Sequence, residues 1–121
     1  MVGADTGFFF SLREGHPEAL RVFEEEDVAV SVLTRFELRR LALRRGIPWA
    51  SLEPLLSRSV HVVELTADIA DEAAALSHGT GLPALDALIL ASLVAVGCRT
   101  VYTRDEHFLR LGRKDVAVVR L

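Results

Sequence analysis

The chain is poor in several residues that would otherwise declare its class. It holds one cysteine, one tryptophan, one tyrosine and one methionine among 121 residues. A lone Cys98 excludes an internal disulfide, and its apolar neighbours suit an inert buried thiol. A reducing cytoplasm is the expected compartment. No apolar run approaches the roughly 20 residues that span a bilayer, so no membrane association is expected. The N-terminus lacks a basic segment followed by an apolar stretch, which counts against a secretory leader. Repeats, low-complexity tracts and linkers are missing too, so residues 1–121 are expected to form a single domain. Lysine is nearly absent: Lys114 stands against thirteen arginines. Arginine suits bidentate contacts with phosphate and carboxylate, although a base-composition bias in the source genome would give the same count. The net charge of −3 argues against indiscriminate binding to nucleic acid.

What the chain does have is an apolar block with a single acid inside it. Residues 80–108 read as a loop, a buried helix, a short strand and an acidic loop. Gly81 breaks the preceding segment, Pro83 fits a first helical turn, and Gly97 supplies a stop. Asp86 is the only acid between residues 84 and 96. An ionised carboxylate in such a setting is costly unless something pairs with it.

Elsewhere strand and helix alternate. Residues 1–4 read as a buried strand, followed by a turn at Thr6-Gly7 and a short helix carrying Phe8, Phe9, Phe10 and Leu12. Pro17 opens a helix to about residue 26 with Leu20 and Phe23 facing inward. Residues 27–32 are β-branched and alternating. Thr34-Arg35-Phe36-Glu37 matches a capping box; Gly46 and Pro48 stop that helix, and residues 49–56 form another. Residues 61–65 are a strand, Thr66 caps a helix to about residue 77, residues 108–111 make a helical turn, and residues 116–120 are a last strand. The alternation predicts an α/β fold, a three-layer sandwich with a mainly parallel central sheet.

Four acids occupy equivalent places in that plan. Asp5 ends the first strand. Glu37 sits in the first turn of the helix after the second. Asp86 lies one turn into the apolar helix, and Asp105 follows the strand at residues 100–103. In a doubly wound sheet all four approach one crevice at the carboxyl ends of the strands. Hard cations such as Mg²⁺ take oxygen ligands of this kind, and a bound metal activates water and clamps a phosphodiester for in-line attack. Each acid also has a plainer reading: Glu37 as a capping-box residue, Asp105 in an Asx-turn, Asp5 as a cap, and Asp86 as a charge favoured by the helix dipole. The combination is more specific than any member.

Four segments together resemble the PIN-domain family, and within it the VapC-type toxins of toxin–antitoxin pairs. They are Asp5-Thr6, Thr34-Arg35-Phe36-Glu37-Leu38, Gly81-Leu82-Pro83-Ala84-Leu85-Asp86-Ala87-Leu88-Ile89, and Thr103-Arg104-Asp105-Glu106-His107-Phe108. The resemblance implies an endoribonuclease dependent on Mg²⁺ or Mn²⁺, with Asp5, Glu37, Asp86 and Asp105 as metal ligands and catalytic residues. It also implies a homodimer and inhibition by a cognate VapB-like antitoxin. The chain departs from the pattern at Gly7, where a polar residue is common, and at His107, where a second acid often follows. These departures bear on metal count and rate.

Other groups are candidates for supporting roles. Arg104 beside Asp105 suits a substrate phosphate, and Thr6 and Thr103 suit orientation of ligands or phosphate through their hydroxyls. Arg35, Arg39, Arg40, Arg44 and Arg45 crowd one helix and read either as RNA-phosphate contacts or as a solvated or antitoxin-facing surface. His107 reads as a proton-transfer group or a plain hydrogen-bonded histidine. Trp49, Leu52, Leu55 and Leu56 read as core or as an antitoxin groove. Two rival functions remain: a PIN-like RNA-binding protein without efficient catalysis, and a receiver-like signalling domain. The receiver lacks its expected acceptor, since residues 61–65 hold Glu64 instead of a strand-ending aspartate.

Overall fold

The chain begins in the middle of its own sheet. A computed structural model describes residues 1–111 and 114–121. In it β1 (Val2–Ala4) pairs with β2 (Val28–Ser31) on one side and with β4 (Thr100–Thr103) on the other. β3 (His61–Val63) lies outside β2, and β5 (Ala117–Arg120) lies outside β4. The order is β3-β2-β1-β4-β5, and all four pairings are parallel. The predicted α/β sheet is therefore present and is parallel throughout.

Parallel neighbours require crossover connections, and helices supply them. α1 (Thr6–Arg13) and α2 (Pro17–Glu25) join β1 to β2. α3 (Val32–Arg45), a 3₁₀ turn (Trp49–Ser51) and α4 (Glu53–Arg58) join β2 to β3. α5 (Ala67–Thr80) and α6 (Ala84–Ala95) return the chain to β4, and α7 (Glu106–Leu109) precedes β5. The winding thus reverses between β1 and β4. At such a switch point the loops leaving the strand ends part to opposite faces and leave a crevice.

Alternation along the strands divides the core in two. Val28 and Val30 pack with Phe8, Val22, Leu38 and Leu56 on one face, whereas Ala29 packs with Ile69, Leu90 and Leu93 on the other. Val101 and Tyr102 divide in the same way. Helices therefore cover both faces, which is the three-layer arrangement. Gly3 lets α6 lie close to the sheet: a Cβ there would stand 2.8 Å from Leu93 Cδ1 and 3.2 Å from Leu93 Cβ. Cys98 is buried, and burial pushes its thiol above the ordinary range, as the inert reading expects. Among the described residues no helix is long and apolar enough to cross a membrane.

Several local expectations are corrected. Thr6 and Gly7 do not form a turn, because Asp5 caps α1 directly, accepting the Phe8 N–H at 3.3 Å. The capping box is not used. Ser31 caps α3, accepting the Leu33 N–H at 3.1 Å, so the helix starts at Val32. Thr34 then falls inside the helix, and Glu37 lies in its second turn, bonded to Thr6 instead of to its own backbone. Leu20 is 40% exposed, while Ala19 and Val22 make the buried face of α2. The helix expected over residues 49–56 is split. Pro54 carries no N–H and belongs in a first turn, so α4 starts afresh at Glu53.

The close approach at Gly3 generates a stability prediction. Gly3→Ala is expected to lower the unfolding free energy by about 1–3 kcal/mol, the usual cost of overpacking. Urea titration of Gly3→Ala, Leu93→Ala and the double variant checks it. The expected double-variant loss is smaller than the two single losses added together, since the two side chains compete for one space.

Candidate metal centre

The reversal of winding brings Asp5, Glu37, Asp86 and Asp105 to one open cavity of about 540 Å³. They arrive on four elements. Asp5 follows β1, Glu37 rides on α3, Asp86 lies in the first turn of α6, and Asp105 follows Arg104 after β4. Phe10, Ile89 and Phe108 form apolar parts of the wall. All four acids singled out in the sequence therefore share one site.

Neutral hydroxyls hold these anions in place. Thr103 is fully buried at the end of β4. Its Oγ1 donates a short hydrogen bond to Asp5 Oδ2 and accepts the Asp105 N–H at 2.8 Å. The other oxygen of Asp5 is the helix cap already described. Thr6 Oγ1 donates to Glu37 Oε1 at 2.6 Å, with the buried Thr34 Oγ1 3.3 Å away. Both threonines named from the sequence donate a hydrogen bond to an acid of the cavity. Asp105 caps α7 by accepting the His107 N–H at 2.8 Å. A cap and a ligand are compatible roles, because an ionised carboxylate has about four lone-pair sites.

Crowding shows in the acidities. Burial, with the Asp105 charge adding to it, pushes Asp5 up to about 6 in spite of its hydrogen bonds from Thr103 and Phe8. Asp86 is likewise pushed up to about 6, first by burial and then by the Asp105 charge, with Glu37 adding and His107 opposing. A divalent cation offsets this repulsion, and oxygen donors at the mouth of a cavity suit a hard ion that keeps some of its waters. The residues present fit such an ion.

Three features go beyond the sequence reading. His107 joins the cluster: its Nδ1 lies 3.0 Å from Asp105 Oδ1 and 3.6 Å from Asp86 Oδ2. The signal was its place two residues after a helix cap, which sets a side chain beside the capping carboxylate. Glu14 lines the cavity and takes Arg104 Nη1 at 3.1 Å across 90 residues of sequence; no local pattern announces that pair. Gly7 makes room for it, since a Cβ there would lie 3.1 Å from Arg104 Cβ and 3.2 Å from Asp5 Oδ1. The five arginines of α3 divide between two faces. Arg45 lines the acidic cavity, and Arg40 and Arg44 line an adjoining recess of about 250 Å³ with Thr6 and Glu37. Arg35 and Arg39 instead stack on Trp49, at 5.6 and 5.2 Å from the ring centre.

Known structures share this architecture. The chain superposes on a toxin–antitoxin complex from Klebsiella pneumoniae with a TM-score of 0.77 and 23% identity, covering 98% of this chain and 96% of that one. VapBC2 from Rickettsia felis, bound to a promoter DNA fragment, gives 0.75 with 17% identity and 99% and 98% coverage. VapC20 from Mycobacterium tuberculosis, described as a Sarcin-Ricin loop cleaving toxin, gives 0.72 with 23% identity and 97% and 99% coverage. At these identities the likeness speaks for the fold. A comparison with curated protein sequences returned no match. The PIN domain signature matches residues 4–114, a span that begins beside Asp5 and runs past Asp105, and the chain belongs to the PIN domain family.

Proposed function

We propose that this protein is a metal-dependent endoribonuclease, the toxin of a VapBC-type pair, acting in the cytoplasm. The observation that carries the reading is the meeting of Asp5, Glu37, Asp86 and Asp105, from four separate elements, in one cavity at the switch point. These four would hold Mg²⁺ or Mn²⁺. When bound, such an ion supplies an activated water and stabilises charge on the scissile phosphate. The chain's own part is positional. Thr103 and Thr6 fix two of the carboxylates. Arg45 in the cavity, with Arg40 and Arg44 beside it, would take flanking RNA phosphates. Arg104, held aside by Glu14, would turn to phosphate when RNA competes for it. The M. tuberculosis structure is described as a toxin that cleaves a named loop, which favours looped RNA as substrate.

Two surfaces support the proposed partners. An apolar groove of about 480 Å³ runs between α1, α2, α3 and α4, with Phe9, Leu20, Phe23, Leu41, Leu52 and Leu55 among its walls. Such a groove suits an amphipathic helix, here that of a VapB-like antitoxin; the K. pneumoniae and R. felis structures are toxin–antitoxin assemblies. Trp49 and Leu56 fall outside the groove, one stacked by arginines and the other buried. For the homodimer, Phe36 and Leu43 supply the apolar surface. They are 58% and 66% exposed, seven residues apart on α3, and a two-fold contact would use them on both protomers.

Three outcomes test this reading. Purified protein is expected to cut single-stranded and hairpin RNAs with Mg²⁺ or Mn²⁺ and to stop in EDTA. Equal cleavage in EDTA would refute the metal mechanism. Absence of cleavage, with no metal bound in calorimetry, would favour an RNA-binding protein.

Asp86→Asn separates ligand from structural prop. In EDTA the variant is expected to melt at or above the wild-type temperature, since a repelling charge is gone. It is expected to lose most of the metal-induced stabilisation, which is about 2.7 kcal/mol at 100 times the dissociation constant. Melting curves with and without Mn²⁺ decide it. A variant that melts low in EDTA and keeps its full metal shift would make Asp86 structural.

The acidities set the pH dependence. For both Asp5 and Asp86 the folded-state value, about 6, lies above the ordinary 3.8. Folding therefore binds protons, and this contribution is complete below about pH 4 and lost as pH rises through 6. Metal-free protein is expected to lose stability over that window, while the Mn²⁺-induced shift grows over the same window. Thermal melts from pH 4 to 7 in EDTA and in Mn²⁺ check both signs.

A further inference from the structure

The four acids assigned above offer oxygen alone, but His107 brings nitrogen to the same place. Asp105 and His107 are held together by the start of α7. Asp105 caps the helix, and its Oδ1 accepts the His107 N–H at 2.8 Å. This fixes the imidazole beside the capping carboxylate, with Nδ1 3.0 Å from Asp105 Oδ1. Asp86, from a different helix, brings Oδ2 to 3.6 Å from the same nitrogen. One donor atom from each of the three residues lies within 4.8 Å of the others. Ligands at about 2.0–2.2 Å from a shared metal are separated by about 3–3.5 Å, and the two carboxylate oxygens stand 3.0 and 3.6 Å from His107 Nδ1, close to that separation. An ion pair between neighbours in a helical turn accounts for Asp105 and His107, and a shared cation would draw the carboxylate of α6 to the same nitrogen.

We propose that His107 Nδ1 is a metal ligand alongside Asp86 and Asp105, and that it biases this site toward first-row transition ions, Co²⁺ above Mn²⁺, over Mg²⁺. The inference rests on the metal-dependent reading above and adds a ligand and a selectivity to it. Mg²⁺ is hard, favours oxygen and gives up its waters reluctantly. Imidazole suits later first-row ions, whose affinities climb from Mn²⁺ through Co²⁺. One nitrogen among carboxylates therefore discriminates more strongly than a fifth acid would.

The test measures binding of Mg²⁺, Mn²⁺ and Co²⁺ by calorimetry to wild type, His107→Ala and His107→Asp, with pulsed electron paramagnetic resonance of the Mn²⁺-loaded protein. His107 is 57% exposed, so neither substitution removes core packing. Wild type is expected to bind Co²⁺ most tightly and Mg²⁺ least, and its Mn²⁺ signal to carry a ¹⁴N coupling. In His107→Ala that coupling is expected to vanish and Co²⁺ affinity to fall at least about tenfold, with Mg²⁺ affinity unchanged or higher. His107→Asp is expected to shift preference back toward Mg²⁺. Metal binding by wild type without ¹⁴N coupling would overturn the inference and leave the nuclease reading standing, as would equal loss of Mg²⁺ and Co²⁺ in His107→Ala. Failure of wild type to bind any of the three ions would overturn both.

Discussion

One hydroxyl, Thr103 Oγ1, ties the start of the chain to its end. It donates to Asp5 and accepts from the backbone of Asp105. Those two acids stand on adjacent strand ends, β1 and β4, where the winding reverses. Without a donor between them, a desolvated carboxylate would sit beside a second anion, and burying an unpaired charge is among the costliest events in folding. The neutral hydroxyl lets the strands close without cancelling the negative charge that the cavity keeps. The other acids depend on that closure, since α3 and α6 pack on the faces of the sheet whose centre it joins.

The same economy runs through the site. Asp5 and Asp105 start helices and also face the cavity. Glu37 takes a proton donor from Thr6 on α1, so its carboxylate helps to hold α3 against α1. Structural and chemical readings of these acids are therefore not alternatives. Asp86 differs, because its burial and its charged neighbours all disfavour ionisation apart from the partial relief given by His107.

Much of this was legible because it is local or periodic. β-Branched alternation gave away β2, Gly46 and Gly81 stop α3 and α5 in left-handed backbone, and the apolar run marked α6. The four acids could be placed together from topology alone, since strand ends in a parallel sheet share one edge. What escaped depended on competition between near-equal local signals or on distant pairing. Ser31 and Thr34 are both good caps, and Ser31 won because β2 ends there, which sent Glu37 to Thr6. The division of the α3 arginines follows from Trp49 lying against one face of the helix, and the Arg104–Glu14 pair joins residues that no window contains. His107 stood out from its motif alone as a departure at an acid position, whereas its contact with Asp86 on another helix needed the fold.

The central position of β1 has a consequence for the order in which the protein is made. Residues 2–4 leave the ribosome before either of their neighbours in the sheet, and their partner β4 lies as far on as residues 100–103, with Asp105 following it. A nascent chain can pair β1 with β2 while the other edge of β1 stays open until β4 has been made. During that time Asp5 has neither Thr103 nor Asp105 beside it. A site with this topology closes only once the chain has been made past residue 105.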